Sequence, residues 1–177
     1  KNMEIPVYLF TGFLEAGKTR FIQESLEGSD FNAGERTLLL LCEEGIEEYE
    51  PDKFFGKNVF IEEIENEEDM SKELFTELAL KHKVERVIVE YNGMWGLDSF
   101  YRAMPDEWLT YQEMLFFDAG TFLTYNQNMR QQVFDKLKSA ELIVFNRCDH
   151  GVMEEVDEKG VSTKLNFHKI CRVANRK

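Results

Sequence analysis

Continuous apolar runs alternate with amphipathic segments along most of the chain. The runs with the length of buried strands are residues 5–10, 37–42, 58–64, 86–91, 113–117 and 142–145. Helical spacing of apolar residues predicts helices at residues 18–26, 66–83, 97–104 and 129–139. Apolar strands that alternate with helices are typical of a largely parallel sheet covered on both faces. The pattern therefore predicts an α/β fold, a three-layer sandwich with a mostly parallel sheet.

Three segments do not fit this alternation. Residues 43–52 are acidic and contain Gly45 and Pro51, which predicts a loop with a short helix. Residues 150–161 are polar and are expected to be mobile, and residues 167–173 form a short apolar segment. We expect one domain, since 177 residues is a usual size for a single hydrophobic core.

Composition and charge exclude several classes of protein. The apolar fraction of 43% is typical of a globular protein, and the net charge of −13 disfavours a nucleic-acid interface. No apolar run approaches the roughly 20 residues that a membrane-spanning helix needs, and the first residues lack the pattern of a secretory signal. The cysteines are too far apart for a disulfide framework or a paired zinc motif: Cys42, Cys148 and Cys171. A cytoplasmic location without membrane or nucleic-acid partners is expected.

A phosphate-binding motif follows the first predicted strand. Residues 12–19 read Gly-Phe-Leu-Glu-Ala-Gly-Lys-Thr and lead directly into the first predicted helix. Gly12 and Gly17 allow the backbone to curl so that its N–H groups point at phosphate oxygens. Lys18 is expected to reach the β- and γ-phosphates, and the Thr19 hydroxyl to ligate Mg²⁺. The motif predicts a P-loop NTPase fold.

Neighbouring loop residues belong to the predicted nucleotide-binding segment as well, namely Glu15, Ala16 and Arg20. Glu15 is unusual on charge grounds, because a carboxylate facing the phosphates would repel them. We expect its side chain to turn away from the phosphates. The alternative for the whole segment is a glycine-rich turn that only caps a helix.

A second nucleotide signal lies at the end of the fourth predicted strand. Residues 90–93 read Glu-Tyr-Asn-Gly, close to the Asp-x-x-Gly of nucleotide hydrolases. Glu90 would hold Mg²⁺ directly or through water, and the Gly93 N–H would sense the γ-phosphate. Lys18, Glu90 and Gly93 form the predicted catalytic set. Predicted metal positions are Thr19, Glu43, Glu44 and Glu90. The alternative is an acidic strand end followed by an ordinary turn.

A third signal follows the sixth predicted strand. Residues 146–149 read Asn-Arg-Cys-Asp, close to the guanine-specifying Asn-Lys-x-Asp. The Asp149 carboxylate would accept from the ring N1–H and exocyclic amine of guanine, a donor pair that adenine lacks. Arg147 would pack along the base, and Asn146 completes the motif. The alternative is a surface strand end with a solvated arginine.

The chain resembles the CobW/HypB/UreG group of P-loop GTPases. Residues 5–19, and above all Thr-Gly-Phe-Leu-Glu-Ala-Gly-Lys-Thr, are similar to the opening of CobW-type sequences. The resemblance implies a role in metal or cofactor delivery, a homodimer or client metalloprotein as partner, and a base contact from Asn175. The family's Cys-x-Cys-Cys segment is absent from residues 45–66. We expect residues 1–177 to be a single nucleotide-binding domain that lacks the family's C-terminal domain.

The leading hypothesis is a Mg²⁺-dependent GTPase that converts GTP to GDP slowly unless a partner accelerates it. One alternative is a nucleotide-binding switch or interaction module with little hydrolysis. Another is an ATP-using kinase or ATPase with the same loop. Comparison of GTP with ATP binding discriminates the last of these.

Overall fold

The computed structural model describes residues 3–118 and 120–146, together with strands at 152–156, 162–166 and 170–174. The strands are β1 (Ile5–Gly12), β2 (Thr37–Leu41), β3 (Val59–Glu63), β4 (Arg86–Glu90), β5 (Trp108–Asp118), β6 (Leu142–Asn146), β7 (Val152–Val156), β8 (Ser162–Asn166) and β9 (Ile170–Ala174). The helices are α1 (Lys18–Glu27), α2 (Lys72–His82), α3 (Leu97–Ala103), α4 (Phe122–Asn128) and α5 (Arg130–Ser139). The predicted α/β fold is confirmed.

The main sheet has the strand order β3-β2-β4-β1-β5-β6-β9. Its first six strands are parallel, and β9 runs antiparallel to β6. The carboxyl ends of parallel strands meet at one edge of a sheet, where ligands of open α/β folds bind. β1 lies between β4 and β5, so the motif after β1 and the acidic end of β4 are direct neighbours.

Helices cover both faces of the sheet. On one face, α1 packs Ile22 and Leu26 against sheet residues that include Phe10 and Phe116. On the other face, Leu9 lies in a cluster with Phe75 of α2 and further residues of α3. Successive residues of a strand point to opposite faces, so both must be apolar when both faces are covered. This accounts for the continuous apolar runs.

The second helix begins later than the sequence predicts. The apolar spacing predicts a helix over residues 66–83, whereas α2 begins at Lys72. The Ser71 hydroxyl oxygen accepts a hydrogen bond from the Leu74 N–H at 3.1 Å, which is a helix N-cap. Residues 67–69 form a separate 3-10 turn. The predicted start is wrong because the Ser71 cap begins the helix after the acidic residues that precede it.

Two more elements differ from the prediction. β5 begins at Trp108 rather than residue 113, since its first half alternates between buried Trp108 and exposed Leu109 and therefore lacks a continuous apolar run. α4 is absent from the prediction. Its Tyr125 ring stacks on Phe13 of the phosphate loop with 4.4 Å between ring centroids, and its Phe122 ring packs against Phe117 and Phe145 of the sheet.

Residues 150–161, which the sequence analysis expects to be mobile, contain β7. This strand pairs antiparallel with β8 in a two-stranded sheet. The other residues of that segment lie outside the described part of the chain. In the described ranges, none of the helices has the length and apolar character to cross a bilayer.

Candidate nucleotide-binding site

The loop between β1 and α1 adopts the curled backbone that the motif predicts. The φ angles of Gly12, Glu15 and Gly17 are 134°, 62° and 101°. Among the described residues, no side chain caps the first turn of α1. The N–H groups of that turn can therefore serve an anion, which the helix dipole also favours.

The two glycines of the loop lie where a side chain has no room. A Cβ on Gly12 would run into the Phe116 carbonyl of β5, and one on Gly17 would meet the Asn146 side chain. The Asn146 side-chain amide donates to the Ala16 carbonyl at 3.4 Å. The first residue of the predicted base motif thus lies directly against the phosphate loop.

Lys18 is almost fully buried, and its ammonium group donates three hydrogen bonds. The acceptors are the Gly12 carbonyl at 2.7 Å, the Tyr91 carbonyl at 2.8 Å and the Glu43 carboxylate at 2.5 Å. The side chains of Lys18 and Glu43 are 2% and 8% exposed. An ion pair this well buried is held by charge-assisted hydrogen bonds in a weakly screened environment.

Glu90 accepts hydrogen bonds from two hydroxyl groups. Thr19 Oγ1 donates to one carboxylate oxygen at 2.6 Å, and Tyr49 Oη donates to the other at 2.5 Å. Burial raises the pKa of the Glu90 carboxyl, while the two hydroxyl donors oppose that rise. Burial, and secondarily the Glu90 charge, also raise the pKa of Tyr49, so this phenol stays protonated and remains a donor.

The chain around Tyr49 is fixed to α1. The Gln23 side-chain amide accepts from the Glu50 N–H at 2.9 Å and donates to the Glu50 carbonyl at 3.1 Å. The Gln23 side chain thereby satisfies both the backbone N–H and the backbone carbonyl of Glu50. Neither Gln23 nor Tyr49 is predicted from the sequence. The signal that could have indicated Tyr49 is a tyrosine within a mostly acidic loop.

Gly93 lies against the phosphate loop. A Cβ there would collide with the Gly12 carbonyl and lie 2.8 Å from Phe13 Cα. The Gly93 N–H donates to the Glu43 carboxylate at 3.2 Å. The predicted γ-phosphate sensor therefore lies beside the loop, and the same carboxylate contacts both Gly93 and Lys18.

A cavity of about 170 Å³ opens at this edge of the sheet. Its walls include Gly17, Lys18, Thr19, Glu43 and Glu90. The structure therefore gathers the predicted P-loop residues and the predicted acid of β4 around one space.

The family comparison agrees with this arrangement. The model of the CobW/HypB/UreG nucleotide-binding domain matches residues 6–170. The chain belongs to the CobW/HypB/UreG family. As a member of that family it is a P-loop nucleotide-binding domain, which confirms the resemblance drawn from residues 5–19.

Other comparisons add little to the CobW/HypB/UreG assignment. A comparison with curated protein sequences finds no significant match. Among solved structures, the chain is similar to the ATPase DotB of Legionella pneumophila, with 16% identity and a TM-score of 0.30. The match covers 92% of this chain and 44% of the DotB chain. A likeness this weak carries no argument about function.

The remaining predicted residues of this CobW/HypB/UreG domain are placed as follows. Arg20 is exposed and pairs with Glu24 at 2.9 Å, so this pair would have to open for a phosphate contact. Glu44 is exposed and lines a larger neighbouring groove of about 870 Å³. The other base-contacting candidates lie outside the described residues, namely Arg147, Asp149 and Asn175.

The donor set fits a magnesium-bound nucleotide. Thr19 and Glu90 present oxygen atoms, the ligands that Mg²⁺ prefers, at the mouth of a loop in which glycines leave room for phosphates. Within the described ranges, no group of three or more His, Cys, Asp or Glu side chains is arranged to hold a metal.

Glu15→Gly is expected to increase nucleotide affinity about threefold to tenfold, because it removes a negative charge beside the cavity. It should not destabilise the fold, since glycine tolerates the φ of 62° at this position. Calorimetric GDP titration and thermal unfolding of both proteins test this. Weaker binding by the variant would show that Glu15 contributes to the nucleotide contacts.

Proposed function

We propose that this chain is a Mg²⁺-dependent GTP-binding protein that hydrolyses the γ-phosphate of GTP. One observation carries the proposal: Lys18, Thr19, Glu90 and Gly93 converge at the phosphate loop from two adjacent parallel strands. A turn that only caps a helix would not require the acid of β4 and the glycine after it to approach the loop so closely.

The residues divide the work of phosphoryl transfer. The Lys18 ammonium and the loop N–H groups stabilise negative charge that spreads over the phosphate oxygens in the transition state. The Gly93 N–H is placed to donate to the γ-phosphate. Thr19 and Glu90 would hold Mg²⁺, which neutralises charge on the β- and γ-phosphate oxygens when bound.

Turnover without a partner is expected to be slow. Glu43 is a candidate for orienting the attacking water, but its carboxylate is engaged with Lys18 and Gly93. Hydrolysis would require this segment to rearrange. A nucleotide switch with little hydrolysis is the second candidate function, and this Glu43 contact is the observation that favours it. Equilibrium GTP affinity measured beside single-turnover hydrolysis separates the two.

Guanine selectivity is part of the proposal. It is supported by the hydrogen bond from the Asn146 side-chain amide to the Ala16 carbonyl of the phosphate loop. The contrasting alternative is an ATP-using enzyme. Competition of unlabelled ATP against labelled GTP decides between them, and equal affinities would contradict guanine selectivity.

Asp149→Asn is expected to move the preference from guanine to xanthine nucleotides, because the amide can donate to the xanthine carbonyl where the carboxylate accepted from guanine. We expect GTP affinity to fall by about 10²-fold or more, as for other lost base contacts that leave polar groups unpaired. Competition between GTP and XTP for the wild type and the variant measures this. Unchanged GTP preference would contradict the role of Asp149.

Metal or cofactor delivery, with a homodimer or a client metalloprotein as partner, is the cellular role that the family resemblance supports. Cys42 is a free cysteine and is 2% exposed. Burial raises the pKa of its thiol to about 12, so it is a poor metal ligand in this conformation. In this conformation, a metal carried by this chain would be bound by groups other than the Cys42 thiol.

A further inference from the structure

The Glu43 carboxylate bridges two groups that serve a γ-phosphate in the proposed function. One oxygen accepts from the Lys18 ammonium at 2.5 Å, and the other accepts from the Gly93 N–H at 3.2 Å. A carboxylate and a terminal phosphate are both anions with several acceptor oxygens, so the same donors suit either group. A nucleoside triphosphate and Glu43 therefore compete for these donors.

The competition cannot be relieved by sharing. The Lys18 ammonium has three N–H groups, and all three are engaged, two of them with backbone carbonyls and one with Glu43. The pair is nearly inaccessible to water, so two anions beside one ammonium would repel each other with little screening. A phosphate that accepts from Lys18 must therefore displace one of these acceptors, and a γ-phosphate that also accepts from the Gly93 N–H must displace the carboxylate.

We propose that Glu43 is a specificity-determining residue that discriminates nucleoside triphosphates from diphosphates by occupying the γ-phosphate position. This inference rests on the proposed function. A diphosphate leaves the contact between Glu43 and Gly93 intact, whereas a triphosphate must break it. Glu43 thus lowers the affinity for the triphosphate relative to the diphosphate.

Displacement of Glu43 would be transmitted along the acidic loop. Tyr49 lies six residues further on and donates to Glu90, and Glu50 is bonded to Gln23 of α1. Movement of residue 43 would therefore shift residues 44–50, and this segment is hydrogen-bonded at its end to α1. In the proposed function the Gly93 N–H serves the γ-phosphate, so release of Glu43 from Gly93 links the loop conformation to the nucleotide state.

A competing anion and a metal ligand at position 43 predict opposite changes in triphosphate affinity for Glu43→Gln. Glu43→Gln keeps the size of the side chain but removes its charge, and it leaves the Lys18 ammonium without its buried counter-ion. Loss of the competing anion should strengthen triphosphate binding with and without Mg²⁺. Loss of a metal ligand would instead weaken triphosphate binding, and only when Mg²⁺ is present.

The test is calorimetric titration of the wild type and Glu43→Gln with GDP and with a non-hydrolysable GTP analogue, each with Mg²⁺ and with a chelator. We expect the affinity for the analogue to rise about tenfold or more, the equivalent of one charge-assisted hydrogen bond, and that for GDP by less than about threefold. Glu48→Gln is the matched control, since it makes the same charge change at an exposed position of the same loop.

Three results would overturn the inference. Equal gains for GDP and the analogue would show that Glu43 acts on the general charge of the site. Weaker analogue binding confined to the Mg²⁺ titration would assign Glu43 to the metal. Absence of binding by the wild type to either nucleotide would overturn the inference together with the proposed function, whereas the first two results leave that function intact.

Discussion

Lys18→Ala is expected to lower single-turnover GTP hydrolysis by about 10²- to 10³-fold, the usual cost of removing one preorganised charged donor. The wild-type side chain is buried with its ammonium at the centre of the loop, held by the Gly12 and Tyr91 carbonyls and by Glu43. Its removal leaves the phosphates without their main positive charge. Phosphate release with protein in excess over GTP measures the effect.

The control for this variant is Lys138→Ala, which removes an exposed lysine from α5. It should hydrolyse GTP at the wild-type rate. Circular dichroism of the Lys18→Ala protein shows whether the fold is retained, because the change also leaves the buried Glu43 carboxylate without its counter-ion. A folded Lys18→Ala protein with wild-type hydrolysis would place the reaction elsewhere.

Gly93→Ala is expected to weaken GTP binding by about ten- to a hundredfold. The added Cβ would meet the Gly12 carbonyl and would lie 2.8 Å from Phe13 Cα, so backbone rather than a flexible side chain would have to move. Overpacking of this kind costs about 1–3 kcal/mol, and the displaced atoms belong to the phosphate loop itself. Equilibrium titration with a non-hydrolysable GTP analogue measures the loss.

Gly96→Ala is the matched control for Gly93→Ala. Its added Cβ would meet its nearest neighbour, the Glu67 carboxylate, at 3.8 Å, an ordinary van der Waals contact. The backbone of Gly96 is extended, which suits alanine. We expect wild-type affinity for this variant. An equal loss of affinity in both variants would show that any side chain added to the segment after β4 disturbs binding. The effect of Gly93→Ala would then not come from its contact with the phosphate loop.

The strands of the sheet are readily predicted from the sequence because most of them are buried on both faces. Strands covered on both faces are apolar over consecutive positions, as in residues 38–41 of β2 and residues 87–89 of β4. β5 departs from the rule only at its first half, where one face is exposed at Leu109 and Tyr111. The prediction of β5 was too short for that reason.

The phosphate loop is predictable for a different reason. Its residue types are dictated by local backbone geometry, as the positive φ of Gly12 and Gly17 and the tight space at both positions illustrate. The acid of β4 follows from the parallel topology, because adjacent strands end at the same edge.

The contacts of Glu43, Tyr49 and Gln23 could not be predicted in the same way. They join an irregular acidic loop to α1 and β4, and no periodic pattern records which of several neighbouring glutamates turns inward. The Glu43 side chain is buried against Lys18, whereas Glu44 is exposed, although the two residues are adjacent and chemically identical. Only the tertiary structure separates them.

The most direct test of the central claim is single-turnover phosphate release from GTP, with protein in excess and Mg²⁺ present, compared with ATP under the same conditions. We predict slow release from GTP that exceeds the rate of Lys18→Ala and much slower release from ATP. Release from GTP no faster than in Lys18→Ala would contradict hydrolysis at this site, and equal release from ATP would contradict guanine selectivity.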